Sequence, residues 1–591
     1  MTVGALRGIS ARCVDAAAKS VTEFNNPTQV HIATALDQVC GVLHAAQEAS
    51  RAGRWVVGFV SYEAAPAFDP AMSAKQYDGI VPLACFVEFA GCTTSEWNVD
   101  HAASEAPLAS FDRLGGSSWF QQGVETIRDR IRNGDVYQVN LTDRCRLSSA
   151  VQLDSIFGQL VAAQGSSSNW SINLDSLAIA SASPEMFFDL NEGVITTRPM
   201  KGTARRAPRS AEDSLAGDAL RDSDKDRAEN VMIVDLLRND LSRLSVAGGV
   251  SVPRILELER YGTLWQLTST VQAVVREGVT LVDIFTALFP CGSVTGAPKI
   301  AAMRVIDELE PWPRGVYCGA IGVIEPARPN SAALTCRFDV AIRTVVIDKV
   351  GSAVYGSGGG ITWDSTPAGE DAEMVMKTAV LTAQHRPFAL LETLLLDASG
   401  PRHLADHIRR MQDSAAYFGF DVDADVIAAA VGNLDPVQHE MRLRMVVHRD
   451  GRVELDVRPL DIQPSVVRLA VSPLRLNSND PMRCHKTTDR RFYEQARAAS
   501  AVADDVVLIN ERNEVVETSI ASLLYNWQGR WFTPPLASGG IDGIGRRRAL
   551  DAGRVTERTL LVDHLATCTE LATVSSLRGW RHAVLQTEQP R

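Results

Sequence analysis

Strand-like and helix-like segments alternate along the whole chain of 591 residues, and the pattern begins afresh after a seam near residues 380–388. Such alternation predicts layers of α/β or α+β type, because each element must bury its apolar face against another one. A chain this long is too large to fold around one hydrophobic core. Domains usually have roughly 100–200 residues, so the length suggests about three or four structural units. We expect a larger part over residues 1–385 and an ordinary domain over residues 386–591.

Several segments ahead of the seam give definite local predictions. Residues 228–244 lack Gly and Pro and are apolar over most of the helical circumference, which predicts a largely buried helix. Residues 332–348 and 351–364 predict a hairpin of two buried strands, the second of which ends at the glycine run 358–360. An amphipathic helix should stop at the break marked by Gly134.

The chain is acidic, since 59 Lys and Arg stand against 71 Asp and Glu, a net charge of -12. Such a surface repels phosphate backbones, so we expect no nucleic acid as main partner. The ten cysteines are scattered without a CxxC pair, which indicates reduced thiols rather than disulfides or a zinc site. No apolar run has the length of a signal peptide or a membrane span, so we expect a cytoplasmic protein without membrane contact.

Three glutamates ahead of the seam have a spacing that suits a divalent metal ion. Glu370 and Glu373 are three residues apart on a predicted helix and share one face, while Glu229 begins the predicted buried helix. Mg²⁺ takes a few carboxylate oxygens together with water and substrate oxygens, and these glutamates could supply them. On spacing alone, the alternative is a set of solvated surface glutamates.

Two basic residues ahead of the seam lie in settings that indicate chemistry. Lys201 lies at a turn after a strand, and Arg198, Arg205 and Arg206 crowd it. Neighbouring cations lower the pKa of a lysine and raise its fraction of nucleophilic free amine, whereas the alternative is an exposed basic loop. Arg343 lies within an apolar strand and needs an anionic partner, either a ligand carboxylate or a structural Asp or Glu.

Eight motifs before the seam carry a resemblance to a known family. In chain order they read GDVYQVNLTDR, SPEMFF, TRPMKGT, DKDRAENVMIVDLLRND, FPCGSVTGAPK, YCGAIG, IRT and GSGGGITWD. This order resembles the chorismate-utilising enzymes, which include the anthranilate, aminodeoxychorismate, isochorismate and salicylate synthases, and it covers most of residues 55–385. The resemblance implies a chorismate-binding domain with a two-sheet α/β sandwich fold and a reaction that needs Mg²⁺.

Within that family, Lys201 at the centre of PMKGT is similar to the aminodeoxychorismate synthase form, because anthranilate synthase typically carries alanine there. The resemblance implies that its amine attacks C2 of chorismate while the C4 hydroxyl leaves, and that ammonia then adds at C4 and expels the lysine. The remaining matches to family positions are Glu185 as acid/base carboxylate, Glu229, Glu370 and Glu373 as Mg²⁺ ligands, and Tyr317, Arg343, Gly358 and Gly360 at the carboxylates of chorismate.

One position departs from the family pattern. Gln266 stands where the family often has histidine. A glutamine side chain can hydrogen-bond a departing hydroxyl but cannot give it a proton. We therefore expect Glu185 or the metal ion to carry the acid role in this chain.

A second set of motifs follows the seam: MRCHKTTDRRFYEQA, ERNEVVETSIASLLY, TPPLASGGIDGIGR and SSLRGW. Their order resembles the fold-type IV pyridoxal phosphate enzymes, which have a D-amino-acid aminotransferase-like fold and include aminodeoxychorismate lyase. The resemblance implies that Lys486 bonds covalently to pyridoxal 5′-phosphate and that Glu517 pairs with its pyridinium nitrogen. It also implies that Arg410 and the backbone N–H groups of Ile544 and Gly545 hold the phosphate.

Two positions depart from the wider fold-type IV pattern. Ser519 is followed by Ile520 where many members have asparagine, which removes one amide. The turn SGGIDG at residues 538–543 replaces the usual Cys-Gly-Leu-Leu-Pro-Gly, which predicts a looser loop. Neither change touches Lys486 or Glu517.

Together the resemblances imply a bifunctional enzyme that converts chorismate and ammonia to 4-amino-4-deoxychorismate, then eliminates pyruvate to give 4-aminobenzoate for folate synthesis. The sequence shows no GxCxG-type nucleophile loop, so we expect ammonia from a separate glutamine amidotransferase subunit. By analogy, we expect a homodimer formed through the C-terminal domain. The alternatives are anthranilate or salicylate formation, against which Lys201 argues, and a non-catalytic C-terminal module that docks the amidotransferase or dimerises.

Overall fold

The computed structural model of the protein describes residue 6 and residues 8–97, 110–148, 151–262, 264–328, 333–381, 386–500 and 503–586. It divides into two compact units, of which the first comprises Met1–Arg205 and Gly217–Arg386 and the second Arg206–Ala216 and Pro387–Arg591. The sequence predicted a single boundary after residue 385, and residues 382–385 at that seam lie outside the described residues. The grouping of Arg206–Ala216 with the second unit was not predicted.

The elements up to residue 381 mix helices with antiparallel strands, which confirms the predicted fold class. The helices are α1 (Leu36–Arg51), α2 (Gly116–Arg132), α3 (Leu153–Gln164), α4 (Ser210–Asp222), α5 (Asp224–Ser242), α6 (Leu281–Leu288), α7 (Lys299–Leu309) and α8 (Pro367–Thr378). The strands are β1 (Ser10–Asp15), β2 (Ser20–Ala33), β3 (Trp55–Val60), β4 (Ala84–Glu96), β5 (Phe111–Arg113), β6 (Gln138–Leu147), β7 (Asn169–Asn173), β8 (Leu177–Ser181), β9 (Met186–Asn191), β10 (Val194–Arg198), β11 (Met200–Arg205), β12 (Ser245–Arg260), β13 (Leu264–Val275), β14 (Gly296–Ala297), β15 (Ala320–Ile324), β16 (Cys336–Val340), β17 (Thr344–Asp348) and β18 (Ala353–Ile361).

These strands are hydrogen-bonded into one connected sheet within the described residues. Strand β18 pairs antiparallel with β6 along nearly its whole length, and β11 pairs antiparallel with β13. Aromatic rings pack behind β9, the strand that follows the SPE motif. The ring centroids of Phe187 and Phe188 are 5.1 Å apart, and those of Phe188 and Phe285 of α6 are 5.7 Å apart. Both pairs are in edge-to-face contact. This packing anchors the backbone directly after Glu185.

Two predicted helices are present, one of them with a different exposure from that expected. Helix α2 ends just ahead of Gly134, whose φ of +81° stops it as predicted. Helix α5 covers residues 228–242 of the predicted segment, but it is amphipathic rather than largely buried. Ile233 and Leu237 are buried on one face, whereas Val231 is 38% exposed on the other.

The predicted hairpin of residues 332–348 and 351–364 is more broken than its sequence suggests. Residues 341–343 interrupt the first segment, so that β17 pairs with β18 while β16 pairs with β15 and β9. The interruption coincides with Arg343, whose φ of +52° is left-handed. The glycine run 358–360 lies at the end of β18, which stops one residue later at Ile361, and each glycine pairs with β6.

The second unit contains two further sheets. Its helices beyond α4 are α9 (Leu404–Phe418), α10 (Ala424–Gly432), α11 (Pro481–Cys484), α12 (Arg491–Ala498) and α13 (Ile544–Asp551). A four-stranded sheet holds β19 (Leu390–Asp397), β20 (Gly400–Pro401), β21 (Met441–Val447) and β22 (Val453–Pro459), and an eight-stranded sheet holds β23 (Val467–Leu476), β24 (Asp505–Asn510), β25 (Val515–Thr518), β26 (Ser522–Trp527), β27 (Arg530–Thr533), β28 (Thr556–Glu557), β29 (Glu570–Ser575) and β30 (Gly579–Leu585). Across the described ranges of both units, every helix is too short or too polar to cross a membrane.

Candidate active sites

A cavity of about 300 Å³ in the first unit gathers the residues that the sequence singled out there. It lies where β11, β18, α5 and α8 meet, with the SPE segment also contributing to its wall. Residues that the sequence did not single out, such as Asn140 and Lys377, complete the wall. The predicted residues in its wall are Glu185, Lys201, Glu229, Gln266, Tyr317, Arg343, Gly358, Gly360, Glu370 and Glu373.

Lys201 lies inside strand β11 rather than at the predicted turn after a strand. It is paired with Leu267 of β13, and the register shifts between Lys201 and Thr203. Gly202 lies at this register shift and has a φ of +83°. A Cβ on this residue would come within 2.9 Å of the Asp226 Cβ. A residue with a side chain would therefore be strained at this position, and the irregularity depends on glycine.

The pKa of Lys201 is lowered, chiefly because burial removes water from the ammonium form. The carboxylates of the cavity oppose this effect, and the nearby cation Lys377 adds to it. The arginines beside Lys201 in the sequence were the wrong explanation. Arg198 pairs with Glu259, and Arg206 belongs to the second unit.

Glu185 offers a proton donor in the same cavity. Its side chain is almost fully enclosed, and burial raises its pKa to about 7. Lys201 and a hydrogen bond with Ser293 oppose that rise, and the Cys291 Sγ lies 3.9 Å from the Glu185 Oε1. A carboxyl group with this pKa is protonated in a substantial fraction of molecules near neutral pH, as a general acid requires.

The three predicted metal ligands line the cavity from two helices, Glu229 from α5 and Glu370 and Glu373 from α8. Lys377 Nζ donates to Glu373 Oε1 at 2.7 Å, and Ser365 Oγ donates to Glu370 Oε1 at 2.5 Å. Within the described residues, no three acidic, histidine or cysteine side chains stand close enough to enclose a metal ion by themselves. An ion here would need other oxygen ligands as well.

The donor set nevertheless suits Mg²⁺. A Cβ built on Gly359 would lie 3.1 Å from Glu370 Oε2 and 4.0 Å from Glu373 Oε1, so the two carboxylates face one spot. Burial raises the pKa of Glu229 and of Glu370, and the nearby lysines and the Ser365 hydroxyl offset only part of this rise. Mg²⁺ commonly takes one or two protein carboxylates and fills its shell with water and substrate oxygens, so these residues fit it.

The glycine run of β18 keeps side chains away from the cavity. A Cβ at Gly360 would come within 2.4 Å of Gln138 Nε2 and 2.8 Å of Lys201 Nζ. A Cβ at Gly358 would come within 2.2 Å of the carbonyl oxygen of Leu141. The strand can therefore approach both β6 and the lysine only because it lacks side chains.

Arg343 reaches the cavity from the left-handed interruption between β16 and β17, not from within a strand. Its Nη1 donates to the carbonyl oxygen of Lys377 at 2.6 Å, and it also hydrogen-bonds Tyr355. A backbone carbonyl and a hydroxyl thus hold Arg343 at the cavity wall, and its pairing with a ligand carboxylate stays a prediction. Tyr317, which is buried, packs its ring against Gly356, where a Cβ would lie 2.4 Å from the ring.

Two buried amides at this site have unused hydrogen-bonding atoms. Gln138 is fully buried, and neither of its amide atoms has a hydrogen-bond partner within the described residues. The Oε1 of Gln266 also lacks a partner there. Sequence reasoning quoted Gln138 in a motif without assigning it a role, although a polar residue between apolar ones in a buried strand was the available signal.

In the second unit, Lys486 and Glu517 form the centre of a second candidate site. Lys486 lies between α11 and α12, and its carbonyl oxygen accepts from Leu391 N at 3.0 Å. Burial lowers the pKa of Lys486 to about 8, with a further contribution from Arg410. Burial raises the pKa of Glu517 to about 7. A lysine of lowered pKa and a buried carboxyl group of raised pKa thus lie near each other.

Hydrogen bonds fix the groups around these two residues. Glu517 Oε2 accepts from Ile541 N at 3.2 Å, and the hydroxyl of Tyr493 donates to Oε1 at 3.2 Å. Arg410 forms a bidentate pair with Glu392 at 2.7 Å and 2.6 Å and donates to the carbonyl oxygen of Asp542 at 2.8 Å. Arg410 therefore reaches the segment that leads into α13.

The start of α13 suits a phosphate group. Ile544 and Gly545 open this helix, so their N–H groups have no acceptor within it. A Cβ at Gly545 would come within 2.9 Å of the backbone of Ser575, which keeps the helix start close to β29. Together with Lys486 and Glu517, these donors fit pyridoxal 5′-phosphate.

Hydrogen bonds hold the loop before α13, and its predicted loosening relative to the wider family pattern stays a prediction. Arg512 Nη2 donates to the carbonyl oxygen of Ala537 at 2.8 Å, and Asn510 Nδ2 donates to that of Ser538 at 3.0 Å. Ile520, the other departure from the pattern, is 50% exposed and leaves the loop untouched.

Two family models match successive parts of the chain. Residues 6–383 match the family model described as chorismate binding enzyme, and residues 389–584 match the model described as amino-transferase class IV. Aminodeoxychorismate synthase component 1 of Escherichia coli (strain K12) is 40% identical over 247 residues, which cover 42% of this chain and 53% of that protein. Anthranilate synthase component 1 of Aquifex aeolicus is 37% identical over 262 residues, 44% of this chain and 52% of that protein.

Among solved structures, anthranilate synthase component I from Streptococcus pneumoniae TIGR4 is similar with a TM-score of 0.54 and 25% identity. The match covers 62% of this chain and 92% of that structure. The chain spans about half the length of the curated relatives that it matches.

Proposed function

Because the chain belongs to the chorismate binding enzymes and carries an amino-transferase class IV domain after them, we propose that it makes 4-aminobenzoate from chorismate and ammonia in two reactions. The first reaction gives 4-amino-4-deoxychorismate in the cavity of the first unit. The second releases pyruvate at Lys486. The observation that carries the proposal is Lys201, a lysine of lowered pKa in a cavity lined by glutamates.

In the first reaction, Lys201 is the nucleophile. Its free amine forms a bond to C2 of chorismate, the double bond shifts, and the C4–O bond breaks. Ammonia then bonds to C4, the double bond shifts back, and the C2–N bond to Lys201 breaks, which restores the lysine. Covalent catalysis of this kind divides one difficult displacement into two easier ones.

Glu185 gives a proton to the departing C4 hydroxyl, which leaves as water. Its pKa of about 7 matches that role near neutral pH. Gln266 can donate a hydrogen bond to the same oxygen but no proton, so we assign it orientation only. Tyr317, Arg343 and the N–H groups of the glycine strand would hold the carboxylates of chorismate.

Glu229, Glu370 and Glu373 would hold Mg²⁺ together with the substrate. When bound, this ion would clamp the ring carboxylate and polarise the allylic system. Two of these glutamates, Glu229 and Glu373, also oppose the lowering of the Lys201 pKa, and Glu229 does so more strongly. Their second role is thus to set the fraction of free amine.

The second reaction uses the class IV unit. Pyridoxal phosphate, when bound, supplies an electron sink that acidifies the C4 proton of aminodeoxychorismate. The amine of Lys486 would take up that proton, so that the enolpyruvyl group could leave C3 and become pyruvate once protonated. Glu517 would hold the pyridinium nitrogen, while Arg410 and the first N–H groups of α13 would hold the phosphate. Formation of the aromatic ring drives this step.

The nitrogen donor in this proposal is a separate glutamine amidotransferase subunit. Support comes from the relative named component 1, a name that refers to one part of a multi-component enzyme. We propose that free ammonium replaces this subunit in vitro. Activity of the purified chain with glutamine as sole nitrogen source would contradict this assignment.

The decisive experiment is product analysis from chorismate, ammonium, Mg²⁺ and pyridoxal phosphate. Wild type should give 4-aminobenzoate and pyruvate, Lys486→Ala should stop at aminodeoxychorismate, and Lys201→Ala should consume little chorismate. Fluorescent anthranilate or salicylate from the wild type would overturn the proposal in favour of the alternative synthases. An absorbance band near the visible edge that borohydride removes would exclude a merely docking C-terminal module.

A further inference from the structure

The segment Arg206–Ala216, which we call the strap, is separated in sequence from the rest of the second unit and belongs to it by its contacts. The strap is fixed within itself, because Arg206 Nε forms ion-paired hydrogen bonds of 2.8 Å and 2.7 Å to the two carboxylate oxygens of Asp213. Ala207 N donates to the same carboxylate at 3.0 Å. The family match places the strap in the chorismate-binding region of the sequence.

The strap contacts the elements that carry the second candidate site. The Arg206 guanidinium stacks 4.1 Å from the ring centre of Tyr417 and donates to the carbonyl oxygen of Tyr417 at 3.0 Å, at the end of α9. Ser210 Oγ donates to the carbonyl oxygen of Asp413 at 2.9 Å on the same helix. The backbone of Pro208 faces His485, the residue directly before Lys486.

Arg209 links the strap to the loop that holds Glu517. Its side chain is only 12% exposed, and its Nη2 donates to the carbonyl oxygens of Leu536 and Gly540, the latter at 3.0 Å. Gly540 lies close against the carboxyl group, since a Cβ there would come within 3.5 Å of Glu517 Cδ. The next N–H group, that of Ile541, donates to Glu517 Oε2 at 3.2 Å.

These two hydrogen bonds lie on one rigid group. The carbonyl of Gly540 and the N–H of Ile541 belong to the same peptide unit, which is planar and cannot rotate internally. Arg209 therefore donates to the carbonyl oxygen at one edge of this peptide group, while Glu517 accepts from the N–H group at the opposite edge. Rotation of the plane would break both hydrogen bonds together, so the orientation of Glu517 is coupled to the position of Arg209.

We infer that Arg209 is a positioning residue for the cofactor site of the second unit, acting on Glu517 through the peptide group between Gly540 and Ile541. The inference rests on the proposed binding of pyridoxal phosphate. By this inference the strap, which lies within the sequence matched by the chorismate binding family, contributes to the cofactor site of the class IV unit. Arg209 itself contacts neither of the two side chains, Lys486 and Glu517, at the centre of that site.

The test uses the full-length chain with Arg209→Ala and, as a matched control, Arg221→Ala, whose side chain is 48% exposed on α4. Hydrogen–deuterium exchange without cofactor should show faster exchange at Ile541 in R209A only. Titration with pyridoxal phosphate should show about tenfold weaker binding or more, the scale of one lost hydrogen bond to a charged group. The pH titration of the bound cofactor's absorbance should shift, because Glu517 is no longer oriented.

Two further variants keep the test decisive. Arg209→Met retains the apolar stem but no donor and should behave like R209A even if the alanine variant folds poorly. Arg209→Lys retains the charge and donors and should restore exchange and binding toward wild type. Wild-type exchange at Ile541 and wild-type cofactor affinity in R209M would overturn the inference. Failure of the wild type to bind pyridoxal phosphate would instead refute the proposed function, and the exchange data would still test Arg209.

Discussion

At the scale of single residues, the surroundings of Lys201 and Lys486 change the two side chains in the same way. Burial lowers the pKa of Lys201 and brings that of Lys486 to about 8, so each is a free amine more often than a solvated lysine. Carboxylates stand near both and limit the shift. The environment thus raises the fraction of free amine at each lysine while carboxylates remain nearby.

Removal of the Lys201 amine should abolish the first reaction. We expect Lys201→Ala to slow chorismate consumption by on the order of 10⁴-fold, the scale on which covalent nucleophiles act. The exposed Lys349→Ala serves as the control and should retain the wild-type rate. The measurement is chorismate loss with ammonium and Mg²⁺ under saturating conditions. A loss below tenfold would show that ammonia attacks without the lysine.

The pKa of Glu185 predicts a pH dependence of the same reaction. A carboxyl group with a pKa raised to about 7 is protonated below that pH and loses its proton above it. Since it acts as proton donor, the rate should fall as the pH rises through about 7. Glu185→Gln should lower the rate by roughly 10²–10⁴-fold and flatten this falling limb, as measured in rate profiles from pH 5.5 to 9. An unchanged limb would assign the acid to another group.

The lowered pKa of Lys486 predicts the opposite pH dependence for the rate of cofactor uptake. Its amine is protonated below a pKa of about 8, and only the free amine bonds to the aldehyde of pyridoxal phosphate. The rate of uptake should therefore rise with pH up to about 8 and level off above it. Stopped-flow absorbance after mixing with the cofactor measures this rate. A profile that is flat between pH 6 and 9 would contradict the lowered pKa.

At the scale of elements, the contact of β18 with β6 builds the floor of the first cavity. Three consecutive glycines pair with β6 and leave no side chain between the strand and Lys201. Helices α5 and α8 bring the glutamates to the same place. This part of the cavity wall is thus formed by the backbone of three glycines, without side chains.

Gly360→Ala tests this dependence. The added methyl group would meet only the ends of two flexible side chains, Gln138 at 2.4 Å and Lys201 at 2.8 Å, so we expect folding with little change in Tm. Displacing the nucleophile by about 1 Å should still slow the first reaction by on the order of 10²-fold. Gly91→Ala, with nothing within 4 Å of the new methyl group, is the control. A wild-type rate in G360A would contradict the assigned floor.

The sequence allowed some of these elements to be predicted and concealed others. Local signals were enough for α2 and for the shared face of Glu370 and Glu373, because helix periodicity and Gly134 act over a few residues. The interruption at Arg343 and the course of β18 depend on pairing with distant strands, which a local pattern does not report. The enclosure of Lys201 was missed for the same reason, since helices far away in sequence create it.

At the scale of the whole molecule, the two compact units imply two separable ligand responses. Pyridoxal phosphate at a hundred times its Kd should stabilise the second unit by about 2.7 kcal/mol, and chorismate with Mg²⁺ should stabilise the first. We expect two unfolding transitions in calorimetry, and each ligand should raise the Tm of only one of them. Lys486→Ala should lose most of the cofactor effect and keep the chorismate effect. A single transition raised by both ligands would contradict two independent units.

The strap also imposes an order on synthesis. It leaves the ribosome about 170 residues before the rest of its unit, which at roughly 5–20 residues per second means a delay on the order of ten to thirty seconds. During that time its buried arginines have no carbonyls to bind. The nascent chain must therefore keep this segment accessible until residues 387–591 have been made.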